Sequence, residues 1–354
     1  MQTYDQRSKD FHQEYEQLSF TTAQAALLLE SANSIAAAGG SELPGAIALA
    51  DTAASRIYLN LSPQQRCILK RYADGKIAAL EYNGLVPPSQ DSPPAFLPAL
   101  EILEADPICL HLAARSQILL HLVQNRAFAL DVENDGKTIR FVGNFSGTTT
   151  EPPAQGLTEQ DRNSHTGLGL GPHTEAPYHC AVEAVDGHSP APSTLILTAR
   201  WNPSNEPTSI IPMGPVIDRI GSRATLALTS SSFDFARSGS STTTTDGGGY
   251  AVPILQFDSH GEFCLRYNSY RHSLNTNACR AARKAFDALN HEVSCCEALK
   301  CTLTPTNALM INNYRSLHCR ELIRDNRRLL IRLFGYSRFG RPIVLKRDPL
   351  TVQG

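Results

Sequence analysis

From Leu80 onward the chain breaks into short apolar runs, among them Thr194-Leu195-Ile196-Leu197, Ala251-Val252-Pro253-Ile254-Leu255, Leu309-Met310-Ile311 and Leu329-Leu330-Ile331, with Gly, Pro, Ser and Asn between them. Runs this short, bounded by turn formers, predict strands, and their recurrence predicts an all-β sandwich or barrel core. Ahead of them residues 11–75 read as helical. Thr21 or Thr22 is placed to cap Ala23–Glu30, and Gly39-Gly40 ends that stretch. A second helix is expected near Ser41–Pro44 and a third near Ser62-Pro63, where Ser precedes Pro at the first helical position. The zone from Phe96 to Arg126 reads as further helix that serves packing. Asn134-Asp135-Gly136 then turns the chain into a strand over Thr138–Asn144. The expected fold class is mainly β with flanking helices, in a single domain over 1–354 with a helical part over 1–75 and loop insertions near 146–171 and 229–250. The first of these insertions leads directly into a histidine and is read as a lid, the second as a flexible loop.

Composition narrows the function classes. With 354 residues, 42% hydrophobic and 19% charged, the chain has the material for a sizeable core. A net charge of -2 speaks against a nucleic-acid surface, since arginine is dense only between Arg320 and Arg347. The polar start Met1–Arg7 lacks the apolar core of a signal peptide, and no run approaches the roughly 18 apolar residues of a membrane span. Nine cysteines without paired C-x-x-C spacing suggest neither a disulfide framework nor a zinc site, so a cytoplasmic protein with reduced thiols is expected.

Chemistry concentrates in Gly171-Pro172-His173-Thr174-Glu175. In an extended segment residues two apart share a face, so His173 and Glu175 project side by side. A third ligand is available at His318, which follows the apolar run Leu309–Ile311 through a loop. Two His and one carboxylate make the facial set that holds Fe(II) and leaves positions open. H-x-E alone is weak evidence in a chain with 11 His and 34 acidic residues, and a surface strand is its bland reading. His179 would face the same way on a continuing strand, but Pro177 interrupts the register, so it is read as a supporting residue. Arg332 is a guanidinium inside the apolar run Arg328–Phe334, and such a charge calls for an anionic partner.

Taken in order, H-T-E after Gly-Pro, the distal N-N-Y-R-x-x-H-x-R over residues 312–320 and Arg332 resemble the clavaminate synthase-like branch of the Fe(II)/2-oxoglutarate dioxygenases, which is related to taurine dioxygenase. Leu80–Pro87, Thr194–Arg200 and Leu265–Asn268 are similar to further segments of that family, and the likeness covers roughly residues 75–340. It implies a double-stranded β-helix (jelly-roll) core, Fe(II) on His173, Glu175 and His318, 2-oxoglutarate as cosubstrate, dioxygen, and a small polar substrate such as a free amino acid. It also implies an arginine for the distal carboxylate of 2-oxoglutarate. Counting from His318 selects Arg332, whereas matching the family's pair of arginines four apart selects Arg328 and turns Arg332 toward the substrate. Thr208 resembles the threonine that assists at the cosubstrate, with an ordinary turn residue as the other reading.

Family members acting on arginine carry acidic residues just after the strand matching Leu265-Arg266-Tyr267, where this chain has Asn268, Ser269 and Tyr270. Asn268 and Tyr270 are therefore expected to line a substrate pocket suited to a neutral side chain, unless an acid lies elsewhere. If Arg332 holds the cosubstrate, Arg338 must serve the substrate carboxylate or that group is not the handle at all, because Tyr336 stands four residues on. A cupin-like metal-binding or ligand-binding module without oxygenase turnover is the alternative from another class.

Overall fold

A computed structural model describes residues 14–89, 91–145, 165–179, 181–236, 248–258 and 261–354. The protein is mostly sheet with flanking helices. A mixed nine-stranded sheet runs in the order Tyr15–Ser19, Ala79–Asn83, Ala308–Asn312, Thr194–Trp201, Leu329–Tyr336, Arg126–Leu130, Leu350–Val352 and Val344–Arg347, with Arg140–Gly143 also paired to Leu329–Tyr336. A smaller four-stranded sheet orders Leu299–Thr302, Pro207–Pro212, Ser316–Arg320 and Leu170–His173.

Side-chain alternation explains how the layers assemble. Leu195, Leu197, Leu309, Ile311, Leu330 and Phe334 point to one face of the large sheet, where they meet Ile210 and Cys301 of the small sheet. Ile196, Met310, Leu329, Ile331 and Leu333 point to the other face and pack against the helices. A sheet covered on both faces needs apolar residues at every position, so these strands read as continuous runs and not as alternating ones. Even-numbered residues of Leu329–Tyr336 therefore enter the space between the two sheets.

The covering helices carry the expected caps. Thr21 accepts from the amide of Gln24 while the Gln24 side chain takes the Thr21 amide, and Ser62 and Gln65 repeat that exchange beside Pro63. Asp106 caps the helix Pro107–Leu122. That helix is buried nearly all round, even at Arg115, whose guanidinium donates to the Pro305 carbonyl at 2.8 Å and the Thr198 hydroxyl at 2.6 Å.

Several expectations change. Residues 15–19 form a strand parallel to Ala79–Asn83, because pairing with the sheet buries Leu18 and overrides local helix preference. The second helix starts at Ala46, after Gly45 takes a left-handed φ of 92° that delays the entry. His318 lies within the strand Ser316–Arg320, not at the end of a loop, since Asn312–Arg315 make only a tight turn. Of the tract 229–250, Phe233–Ala236 and Gly248–Val252 are paired strands, while 237–247 lies outside the described residues, as does 146–164 of the first tract. The helices Gly214–Ile220, Ser222–Ala227 and Arg280–Cys295, not foreseen in the sequence, build a second apolar cluster around Phe233 and Leu289. No helix among the described residues is long and apolar enough to cross a membrane.

Burial pushes His111 and His272 down to about 4 from an ordinary 6.5. Between those values the unfolded chain binds protons that the folded one refuses, so stability is full above 6.5 and falls as pH drops toward 4. The apo-protein should lose on the order of 5 °C in Tm between pH 6.5 and 5. His111→Asn should flatten part of that slope, and calorimetry showing an equally steep profile would contradict the assignment.

Candidate metal centre

The small sheet brings His173 and His318 together. They are direct cross-strand partners on Leu170–His173 and Ser316–Arg320, with ring centroids 4.2 Å apart. Glu175, two residues past His173, has Oε1 3.5 Å from His318 Nε2, and one ligand atom from each of the three side chains falls within 4.8 Å of the others. His173 Nδ1 donates to the Gly171 carbonyl at 2.7 Å, which fixes the tautomer and leaves Nε2 as the lone-pair nitrogen. Burial, aided by His318, pushes the His173 imidazole down to about 3, so it is neutral. Burial alone would raise the Glu175 carboxyl, but the Arg332 guanidinium beside it holds it below its ordinary value and therefore ionised.

The backbone around Glu175 is braced. Its amide donates to Asn313 Oδ1 at 2.8 Å and its carbonyl accepts from Arg266 at 3.1 Å. Asn313 Nδ2 donates in turn to the Pro192 carbonyl at 2.8 Å. Thr174, wholly buried between the two ligands, binds the backbone of Tyr267 through its amide at 2.7 Å and its hydroxyl. The pair is thus aimed by the residues behind it.

The two arginines differ in their surroundings. Arg332 donates to Glu175 Oε1 at 2.9 Å and to Glu133 Oε1 at 2.8 Å, and its guanidinium carbon lies 3.8 Å from the Phe334 ring centroid. Arg328 is 1% exposed and has one side-chain hydrogen bond, to the Thr208 hydroxyl at 3.4 Å. Its Nε and one terminal nitrogen have no partner among the described residues. Burial pushes it down to about 10, against the attraction of Glu206. A buried guanidinium with open donors is a receptor for an anion.

Solved structures share this architecture. Non-heme iron oxygenase OrfP, in complex with Fe, succinate and (3S)-hydroxy-L-Arg, superposes with a TM-score of 0.70 at 20% identity, over 91% of this chain and 94% of that one. Asparagine oxygenase, in complex with Fe(II), 2S,3S-3-hydroxyasparagine and succinate, gives 0.68 at 17% identity over 96% and 99%. The chain has the fold of the non-heme iron oxygenases. No family model matches the sequence, and no curated protein matches it either.

Within this oxygenase fold the other expected site residues separate. Thr208 is the second residue of the strand Pro207–Pro212, not a turn residue, and meets Arg328 as described. Asn268 bridges to the backbone of His173, but its side chain is engaged, with Nδ2 on the Tyr178 hydroxyl at 3.0 Å and Oδ1 on the Tyr270 amide at 2.9 Å. It therefore supports the ligand strand and does not offer a free amide. The Tyr270 ring covers Gly171, where a Cβ would stand 2.6 Å from it. Arg338 lies beyond the last residue of its strand, bonded to Gln124 at 3.2 Å and Asp74 at 3.4 Å. It borders a cavity of about 380 Å³ whose lining includes none of the three candidate ligands. His179 stacks on His188 at 5.1 Å and is not in the group of candidate ligands.

Sequence reading missed Glu133, which has no motif and reaches Arg332 only through pairing of the strands on either side of it with Leu329–Tyr336. It also missed the braces Asn313 and Arg266, which lie within the family-like segments N-N-Y-R and L-R-Y-N.

Asn313→Ala should weaken Fe(II) binding about 10- to 100-fold with the fold retained, because it frees the backbone that aims Glu175. Anaerobic Fe(II) titration with circular dichroism as the fold control measures this. Affinity equal to the parent protein would show that Asn313 only packs.

Proposed function

We propose that the protein is an Fe(II)/2-oxoglutarate-dependent oxygenase that hydroxylates, or otherwise oxidises, an unactivated C–H bond of a free amino acid or close derivative. The observation that carries this reading is the pairing of a compact His-Glu-His group with Arg328, a buried guanidinium holding open donors. Two imidazoles and a carboxylate held ionised by Arg332 suit Fe(II), and three protein ligands leave positions for cosubstrate and dioxygen. The residues present therefore fit the metal. When bound, the iron supplies the oxidation of the C–H bond as 2-oxoglutarate and dioxygen become succinate and carbon dioxide.

The chain's own residues hold and orient. Arg328 and Thr208 take the distal carboxylate of 2-oxoglutarate, the first through two parallel hydrogen bonds and the second through its hydroxyl. Arg332, now neutralised by Glu175 and Glu133, is free for a substrate carboxylate once the charge of Glu175 is taken up by metal. An α-amino acid carries a carboxylate for Arg332 and an ammonium for Glu133, which is why a zwitterion fits this corner. The complexes of OrfP and asparagine oxygenase with hydroxylated amino acids support the same substrate class.

The two facing sheets, with the ligands on the smaller one, support the double-stranded β-helix as core and a single oxygenase domain over the chain. The near-neutral charge supports small-molecule partners without nucleic acid, and the uncapped thiols fit a cytoplasmic setting. A cupin-like binding module accounts for three metal ligands but leaves the open, buried donors of Arg328 without a purpose.

Anaerobic protein given Fe(II) and 2-oxoglutarate should develop a visible charge-transfer band, and absence of that band would favour the binding module. Arg328→Lys should raise KM for 2-oxoglutarate about 10-fold or more, since an ammonium keeps charge but loses the two-pronged geometry. Arg332→Lys should instead raise KM for the amino acid. An exchanged pattern would give Arg332 the cosubstrate.

A further inference from the structure

The turn after Leu265-Arg266-Tyr267 is clamped to the His173 strand. Asn268 forms an antiparallel bridge with His173, and the Ser269 amide donates to the Pro172 carbonyl at 3.0 Å. Gly171 permits the contact, because a Cβ there would come within 2.6 Å of both Ser269 Oγ and the Tyr270 ring. The turn closes with the amides of Arg271 and His272 on the Asn268 carbonyl, at 3.2 and 3.0 Å. Arg271 is thereby held in the turn that is bridged to the His173 strand, and its charge reaches the His173 imidazole and the Tyr178 hydroxyl.

Arg271 is half-buried, yet no carboxylate or carbonyl among the described residues receives its guanidinium. Its neighbours in this wall are already committed. Asn268 serves Tyr178 and Tyr270, Glu175 serves Arg332, and the buried His272 gives its Nδ1 to the Asn268 amide. Around the centre the guanidiniums of Arg140, Arg266, Arg271, Arg320, Arg328 and Arg332 outnumber the carboxylates of Glu133, Asp135, Glu175 and Glu206 that act on them. A metal dication and a cosubstrate dianion cancel each other, so the positive surplus remains for the substrate to meet.

We infer that Arg271 receives a side-chain carboxylate and that the substrate is an acidic α-amino acid. This rests on the oxygenase reading and replaces the neutral side chain expected from Asn268, Ser269 and Tyr270. Arg332 on the large sheet takes the α-carboxylate and Glu133 the ammonium, while Arg271, approaching from beside the small sheet, takes the second carboxylate. The amide analogue of such a substrate lacks only the charge. It would leave Arg271 unpaired in a partly desolvated site, which disfavours it.

The experiment is a titration of the anaerobic Fe(II)–2-oxoglutarate protein with L-aspartate, L-glutamate, L-asparagine, L-glutamine and L-arginine, read as perturbation of the charge-transfer band. An acid should bind about 10- to 100-fold more tightly than its amide. Arg271→Gln should bring that ratio close to one and Arg271→Lys should largely keep it, with the band before amino-acid addition present in both. Preference for an amide or for arginine in the parent protein, or an acid preference that survives Arg271→Gln, overturns the inference, as does a band that no acidic amino acid perturbs. If no band forms with 2-oxoglutarate, the oxygenase reading itself fails and the inference falls with it.

Discussion

The site depends on one strand whose two faces do different work. In Leu329–Tyr336 the odd-numbered Leu329, Ile331 and Leu333 anchor the strand on the helical layer, and the even-numbered Leu330 and Phe334 fill the space between the sheets. Arg332 lies on that inner face, and Arg328 precedes it by two pleats. A shift of one residue would send both guanidiniums into the helical layer, away from Glu175, Glu133 and Thr208. Pairing with Thr194–Trp201 over seven positions fixes the register that prevents this.

Charge then decides what the enclosed space will accept. A buried guanidinium is costly unless an anion or an acceptor meets it, and the centre treats its arginines differently. Arg266 is spent on the carbonyls of Leu265, Glu175 and Asn313, and acts as a brace. Arg332 is balanced by two carboxylates. Arg328 and Arg271 are not balanced from within the described residues, and both stand close to groups that ligands would reach. The polar frame thus braces His173 and Glu175 and leaves donors open on Arg328.

Legibility followed the range of the interactions. The strands Thr194–Trp201, Ala308–Asn312 and Leu329–Tyr336 and the caps at Thr21 and Ser62 were readable, because burial on both faces and local capping leave marks within a few residues. The strand at 15–19 was not, since its existence depends on a partner more than sixty positions away. His173 and Glu175 were readable as neighbours on one strand. Glu133 was hidden, because only the pairing of Arg126–Leu130 and Arg140–Gly143 with Leu329–Tyr336 delivers it to Arg332.

The sequence by itself determined the chemical inventory: two imidazoles and a carboxylate with family-like spacing, an apolar core, and two arginines four apart. Spacing along the chain could not rank those arginines, since both positions share a face and either count is self-consistent. Tertiary structure separated them by placing Arg332 against Glu175 and Glu133 and Arg328 beside Thr208 with donors left open. It also set Arg271 beside His173 and carried Arg338 to the surface. The physical reason is that a charge acquires its role from what surrounds it in space, and those neighbours come from strands distant in sequence.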